Sequence, residues 1–270
     1  MTPDNNGPVI TLTTDFGYGS PYVAAMKGVI LSINPAARIL DLSHAIPPQA
    51  LRHAAFFLAS AVPYFPPQAI HTVVVDPGVG TDRALLYVET GQHQLLVPDN
   101  GCWTELLHIS GGEPLVHQIT ESRYWRATVS STFHGRDILA PVAAHLSRGL
   151  DPRALGSRAS KWVRLDLPRP WRGEDGLHGE VIFVDHFGNL ITNIGGETLD
   201  AVSASPQLEI GDVVVKRWVR TYGEAPAGAL VALVSSAGQV EIALAQGNAA
   251  RELGAKIGTP VRLAGGHPGQ

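Results

Sequence analysis

Four side chains in the first part of this sequence could act together on one ligand. Asp76 follows Val73-Val74-Val75 and precedes Pro77-Gly78-Val79-Gly80, and Arg83 lies seven residues on. Asp15 follows Val9-Ile10-Thr11-Leu12-Thr13-Thr14 and precedes Phe16-Gly17. His134 stands in Phe133-His134-Gly135-Arg136-Asp137, ahead of an apolar run from Ile138 to Leu146. A carboxylate can grip hydroxyls or accept a proton, an arginine can hold a carboxylate by two parallel hydrogen bonds, and a histidine exchanges protons near neutral pH. Each also has a plainer reading. An acid after a strand can cap local N–H groups, and a histidine at a helix start can be a cap or a packed side chain.

The later part offers Asp185-His186-Phe187-Gly188-Asn189-Leu190-Ile191-Thr192-Asn193 and Ser235-Ser236-Ala237-Gly238. Their plainer readings are an Asn/Gly hairpin and a strand-ending turn. The eleven histidines are dispersed, without an HExxH or paired His/Cys spacing, so no metal site is expected. GxSxG, P-loop and GxGxxG patterns are missing too.

The segments that would position these residues alternate. Val9–Thr14 and Ala69–Val75 are rich in β-branched residues and read as strands, as does Arg38–Leu42. Tyr22–Ile33 carries apolar groups at helical spacing until Asn34-Pro35 stops it, and Ala50–Ala61 reads as a second, nearly all core-facing helix. Alternation of this kind implies a mostly parallel sheet flanked by helices, with ligands outside the carboxyl ends of its strands. Leu85–Glu89 and Gln94–Val97 form an expected hairpin. The α/β domain is expected over residues 1–166 and a Pro/Gly-rich linker over 167–176. A smaller all-β, barrel-like domain of short strands is expected over 177–270.

Composition narrows the function classes. A hydrophobic fraction of 44% against 16% charged residues supports a sizeable core. A net charge of -4 with scattered basic residues gives no footprint for nucleic acid or an acidic membrane surface. Cys102 is the single cysteine, so no internal disulfide can form, which fits a reducing cytoplasm. Neither a signal peptide nor a membrane span is expected from the hydropathy pattern.

Taken as an ordered set, the motifs are far more specific. Thr14-Asp15-Phe16-Gly17, Val75-Asp76-Pro77-Gly78-Val79-Gly80, Pro98-Asp99-Asn100-Gly101, Phe133-His134-Gly135-Arg136-Asp137, Phe187-Gly188-Asn189 with Thr192-Asn193, and Ser235-Ser236 with Gly238 follow one another. The chain resembles the S-adenosyl-L-methionine (SAM) hydroxide adenosyltransferases, cousins of the fluorinating and chlorinating SAM enzymes, from about Ile10 to Leu263.

That resemblance implies attack of water on C5′ of SAM, giving adenosine and L-methionine, in a homotrimer with SAM between neighbouring subunits. SAM is then the substrate and no cofactor is implied. It places the water-handling set on Asp76, Arg83 and His134 and the ribose-gripping acid on Asp15, beside Phe16. Asn189 and Phe187 fall in the adenine motif, Tyr222 beside adenine, and Asp185 and Ser236 near methionine. Where the fluorinating enzymes have tyrosine and serine, this chain has Asp76 and Gly135, which puts it on the water-using side. Ala237 replaces an arginine that holds the methionine carboxylate, so Glu241 is expected to serve the ammonium instead. A chloride-using transferase and a SAM-binding protein without turnover are the competing readings.

Overall fold

The structure, a computed structural model, describes residues 7–201 and 206–265. The chain divides into two compact units, Met1–Leu165 and Asp166–Gln270.

The first unit runs β1 (Val9–Thr14), α1 (Tyr22–Ile33), β2 (Arg38–Ser43), α2 (Leu51–Ala61), β3 (Ile70–Val74), β4 (Leu85–Thr90), β5 (His93–Pro98), α3 (Thr104–Ser110), β6 (Leu115–Gln118) and α4 (Ala140–Ser147). Its six strands lie in the order β2-β1-β3-β5-β4-β6. The first four are parallel; β4 runs antiparallel to β5 and β6. Strand residues alternate between two cores, as a two-residue side-chain period requires. Ile10, Leu12, Ile70, Val74, Tyr87 and Leu96 share one core with Met26 and Ile30 of α1 and Val142 and Leu146 of α4. Val73, Val75, Leu86, Val88, Leu95 and Val97 share the other with Ala54 and Leu58 of α2 and Leu106 of α3. Burying each such aliphatic side chain contributes about 1.5–3 kcal/mol. Leu12→Ala, at a fully buried position, would therefore cost about 2–5 kcal/mol.

The chain passes from β1 outward to β2 and then returns to the opposite side of β1 to lay down β3. The carboxyl ends of β1 and β3 therefore flank a topological switch point, where connections diverge and leave a crevice.

Three local expectations need correction. Helix α2 is only partly core-facing: Ala54, Ala55 and Leu58 are its buried residues. The stretch read as a linker contains β7 (Trp171–Gly173), which pairs with β8 (Gly176–Val184). The strand read over Asp212–Trp218 stops at Val215. Helix α3 and strand β6 were not visible in the pattern, being only seven and four residues long.

The second unit runs β7, β8 (Gly176–Val184), β9 (Leu190–Gly195), β10 (Pro206–Ile210), β11 (Val213–Val215), β12 (Leu230–Val234), β13 (Gln239–Leu244), α5 (Ala249–Glu252) and β14 (Pro260–Gly265). The antiparallel order is β11-β10-β14-β8-β9-β13-β12. Beyond β11, Trp218 bridges to Ala232 of β12, so the two ends of the sheet approach and the barrel nearly closes. Leu177, Val181, Leu190, Ile194, Leu208, Val240 and Ile242 fill its interior. Among the described residues, no helix is long and apolar enough to cross a membrane.

Candidate active site

Asp15 and Asp76 leave neighbouring strands almost in register. Thr14 pairs with Val74, so the acids emerge one residue beyond the end of β1 and two beyond the end of β3. The turn after β5 lies at the same end of the sheet and braces β3, because Asn100 Nδ2 donates to the Val75 carbonyl at 2.8 Å.

Asp76 and Arg83 form the centre of the site. Arg83 Nε donates to Asp76 Oδ1 and Oδ2 at 3.1 and 2.9 Å, and Nη2 donates to Oδ2 at 2.5 Å. The side chains are only 5% and 11% exposed, so water competes little for this pair. The Gly78 N–H adds a bond to Asp76 Oδ1 at 3.2 Å. Arg83 Nη2 also lies 2.8 Å from His134 Nδ1. A guanidinium can only donate, so Nδ1 must accept, and the imidazole is neutral with its proton on Nε2. Burial first, and the Arg83 charge second, lower the His134 pKa below its usual 6.5, in keeping with that neutral form.

His134 reaches Arg83 because its helix begins unusually. Gly135–Leu139 is a π turn, whose bonds skip five residues, ahead of α4. Gly135 permits this close approach: an added Cβ would stand 3.0 and 3.1 Å from the Val74 methyls. Asp137, fully buried, fixes the approach to the helix. It accepts from Arg126 Nη1 at 2.7 Å, the Ser130 N–H at 2.9 Å, and Arg136 Nε and Nη2 at 2.7 and 2.8 Å. Burial alone would raise its pKa, but the bonds from Arg136, Ser130 and Arg126 outweigh that and hold it at about 2. Arg136, the other basic residue of this motif, is thus engaged with Asp137 and with the Phe133 ring, 4.9 Å away, rather than with Asp76. The Asp76–Arg83 loop docks on the same segment: Gly80 has φ +80°, and a Cβ there would lie 2.4 Å from the Ser131 carbonyl oxygen.

Asp15 is tied to that segment through rings. Phe16, Tyr22 and Phe133 make three edge-to-face contacts with centroids 5.3–5.7 Å apart. Asp15 Oδ2 accepts the Gln49 N–H at 2.9 Å, while Oδ1 makes no contact of this kind among the described residues. His44, buried, clamps both sides of the Asp15 turn. Its Nδ1 lies 2.9 Å from Thr14 Oγ1, its carbonyl accepts the Gly17 N–H at 2.8 Å, and its Nε2 lies 3.0 Å from Asp41 Oδ1. Asp41 is paired in turn with Lys27. Neither Gln49 nor His44 stood out in the sequence, and Asp137 appeared there only as the last residue of the His134 motif, without its partners. The one available signal was Asp41-Leu42-Ser43-His44, an acid and a histidine three apart at a strand end.

In the second unit, Asp185 and Asn189 close the β8–β9 turn. Asp185 Oδ1 and Oδ2 accept the Asn189 N–H at 2.8 Å and Nδ2 at 2.9 Å, which fixes the orientation of the Asn189 amide. Phe187, at the turn's tip, is 71% exposed. Tyr222 Oη donates to Glu241 Oε1 at 2.8 Å. Burial first and Glu241 second push the Tyr222 hydroxyl up to about 12. Burial first, with the Asp185 charge, also raises the Glu241 pKa despite the Tyr222 bond. Ser236 stands apart from this group. Leu190 pairs with Ile242 and Gly195 with Gln239, so the Ser235–Gly238 turn lies at the far end of the β9–β13 ladder from the Asp185–Asn189 turn. Among the described residues, no group of three or more His, Cys, Asp or Glu side chains is placed to hold a metal.

Residues 10–156 match the SAM hydroxide adenosyltransferase N-terminal domain, and residues 179–262 match the C-terminal domain. Proteins named (R)-S-adenosyl-L-methionine hydrolase from Salinispora tropica and Thermus thermophilus are each 40% identical. They are covered over 98% and 99% of their lengths, and this chain over 96% and 95%. A fluorinase from an Actinoplanes species is 25% identical over 77% of this chain and 78% of its own. A solved structure of an uncharacterised conserved protein from Thermotoga maritima superposes with a TM-score of 0.88 at 35% identity, over 95% of this chain and all of that one.

Proposed function

The chain belongs to the SAM hydroxide adenosyltransferase family, and we infer that it is an enzyme hydrolysing S-adenosyl-L-methionine to adenosine and L-methionine. The observation that carries this is near-complete coverage at 40% identity of relatives named for that hydrolysis. The (R) sulfonium epimer in their name is proposed for this chain too.

The chemistry suits the first unit. Water attacks C5′, the C5′–S bond breaks towards sulfur, and the thioether leaves neutral, so no acid is needed for the leaving group. What is needed is a water held in line and a base for its proton. Orientation of this kind draws on a range of about 7–11 kcal/mol. Arg83 holds Asp76 by two nitrogens, which fixes the carboxylate as an acceptor for water. His134 Nδ1 is occupied by Arg83, so it cannot take the proton while that bond stands. Asp76 is the group left to receive it, and His134 orients Arg83 and so Asp76. Asp15 Oδ1 is assigned to the ribose hydroxyls, next to Phe16. In the second unit, Asn189 and Phe187 are assigned to adenine, with Tyr222 near it, and Asp185 and Glu241 to the methionine end; Ser236, at the far end of the β9–β13 ladder, is not joined to that set. We assign the two sets to neighbouring subunits of a homotrimer working in the cytoplasm.

Incubation with each SAM epimer, followed by chromatography for adenosine with and without halide, tests the reaction. Adenosine formation independent of halide is expected. A halogenated nucleoside, or no turnover with retained binding, would overturn it.

A further inference from the structure

We propose that a cavity behind the Arg83–His134 pair is the compartment through which the reacting water enters and its proton leaves, separate from the opening that admits SAM. This rests on the hydrolytic reading above. The cavity has a volume of about 260 Å³, room for several waters, and Arg83 and His134 form one wall of it. Asp15, Phe16 and Asp76 do not line it. It therefore lies on the side of the pair away from the crevice between β1 and β3.

Ala84, Leu85, Ile119, Val129 and Ile138 make much of the lining apolar, but its polar groups suit water. Arg83 binds Asp76 and His134 through Nε and Nη2, so its Nη1 amino group is used in neither contact. Trp125 lines the cavity, and its indole N–H is buried with no partner among the described residues. A buried donor without a partner is costly, and a bridging water removes that cost. Thr81 and Thr120 add hydroxyls, and Asp82 and Gln118 add acceptors. A carboxylate on the wall disfavours a bound anion, whereas water uses donors and acceptors alike.

The reaction makes such a compartment useful. Each turnover consumes one water, whose oxygen bonds to C5′, and releases one proton after the C5′–S electron pair passes to sulfur. SAM seated over the crevice would block that side. Water passes from the cavity to Asp76 where the Arg83–His134 contact parts, and the proton then leaves from Asp76 through water towards exposed Asp82 and bulk solvent.

Val129, exposed on the cavity lining, allows a direct test. Val129→Trp narrows the cavity, Val129→Ala widens it, and Trp125→Phe removes only the indole donor. Single-turnover quench over a range of SAM concentrations gives the rate and the affinity separately, and the solvent deuterium isotope effect reports proton and water movement. Val129→Trp is expected to cut the rate at saturating SAM at least tenfold and to raise the isotope effect, with SAM affinity within twofold of wild type. Val129→Ala keeps the wild-type rate, and Trp125→Phe loses several-fold in rate alone. A Val129→Trp protein as fast as wild type overturns the proposal. So does a parallel loss of SAM affinity, which would make this wall part of the SAM pocket. If Val129→Trp does not fold, Trp125→Phe decides: an unchanged rate and isotope effect overturn the proposal. Wild-type protein that releases no adenosine would refute hydrolysis itself, a distinct outcome.

Discussion

Replacing Arg83 with lysine keeps the positive charge and removes the shape. The guanidinium reaches three acceptor atoms at once: both oxygens of Asp76 through Nε and Nη2, and His134 Nδ1 through Nη2. An ammonium is a single point and cannot hold the carboxylate two-pronged while also reaching the imidazole. At least one charge-assisted bond to Asp76, worth about 1.5–3 kcal/mol, is therefore lost, along with the His134 contact at about 1 kcal/mol. The Asp76 side chain is 5% exposed, so water replaces little of this. A loss of about 2.5–4 kcal/mol expressed in the transition state corresponds to roughly 10²–10³-fold in rate. The assay is adenosine release at saturating SAM, with SAM affinity and the thermal midpoint measured in parallel. Rate should fall by that factor while affinity changes little, since the pair acts on water rather than on SAM. An Arg83→Lys enzyme with more than half the wild-type rate would refute the geometric argument and leave charge alone as Arg83's role.

Other outcomes follow from the same geometry. Asp76→Ala, Arg83→Ala and His134→Ala should each lower kcat about 10²–10⁴-fold, and the triple variant should be little worse than the worst single one; multiplicative losses would show that the three act separately. Because burial and Arg83 lower the His134 pKa, kcat/KM should fall with acid only below about pH 6.5, and an acid limb centred above that value would contradict a neutral accepting imidazole. Asp15→Ala should weaken adenosine binding by about 1.5–3 kcal/mol in calorimetry, but leave 2′,3′-dideoxyadenosine binding unchanged; equal losses for both ligands would remove Asp15 from the ribose. Burial first, then the His93 charge, hold His71 neutral down to about 3. The unfolded chain therefore binds a proton there that the folded one refuses as pH falls through about 6.5, and stability should drop by up to about 1.4 kcal/mol per pH unit. Denaturant titrations of His71→Gln should show a shallower acid slope, and an unchanged slope would disprove this.

The sheet was readable because its strands are continuous β-branched runs ending in acid and glycine, as at Val9–Thr14 and Val73–Gly80. The contact between Arg83 and His134 was not readable, since it depends on where a chain 51 residues later crosses the loop. Asp137 illustrates the same limit. Its sequence neighbours Gly135 and Arg136 suggested a helix start, but its bonds to Arg126 and Ser130 are set by the fold of an irregular segment. Strand register, too, is a tertiary property, and only it separates Ser236 from the Asp185–Asn189 turn. The short elements α3 and β6 carry too few residues to reveal a period.

The π turn at Gly135–Leu139 gives the histidine's position a dependence on residue count. A π turn holds one residue more than an α turn at the same place. Deleting a single residue there would let the helix close into regular α geometry. Relative to α4, everything upstream would turn by about 100° and slide by about 1.5 Å. Helix α4 could keep its buried face against α1 and the sheet, while His134, on the far side of the deletion, would swing off Arg83 with its own identity intact. Length changes in this stretch therefore act as a phase setting on the helix. A homologue that is one residue shorter here should be expected to carry different chemistry even where its histidine aligns.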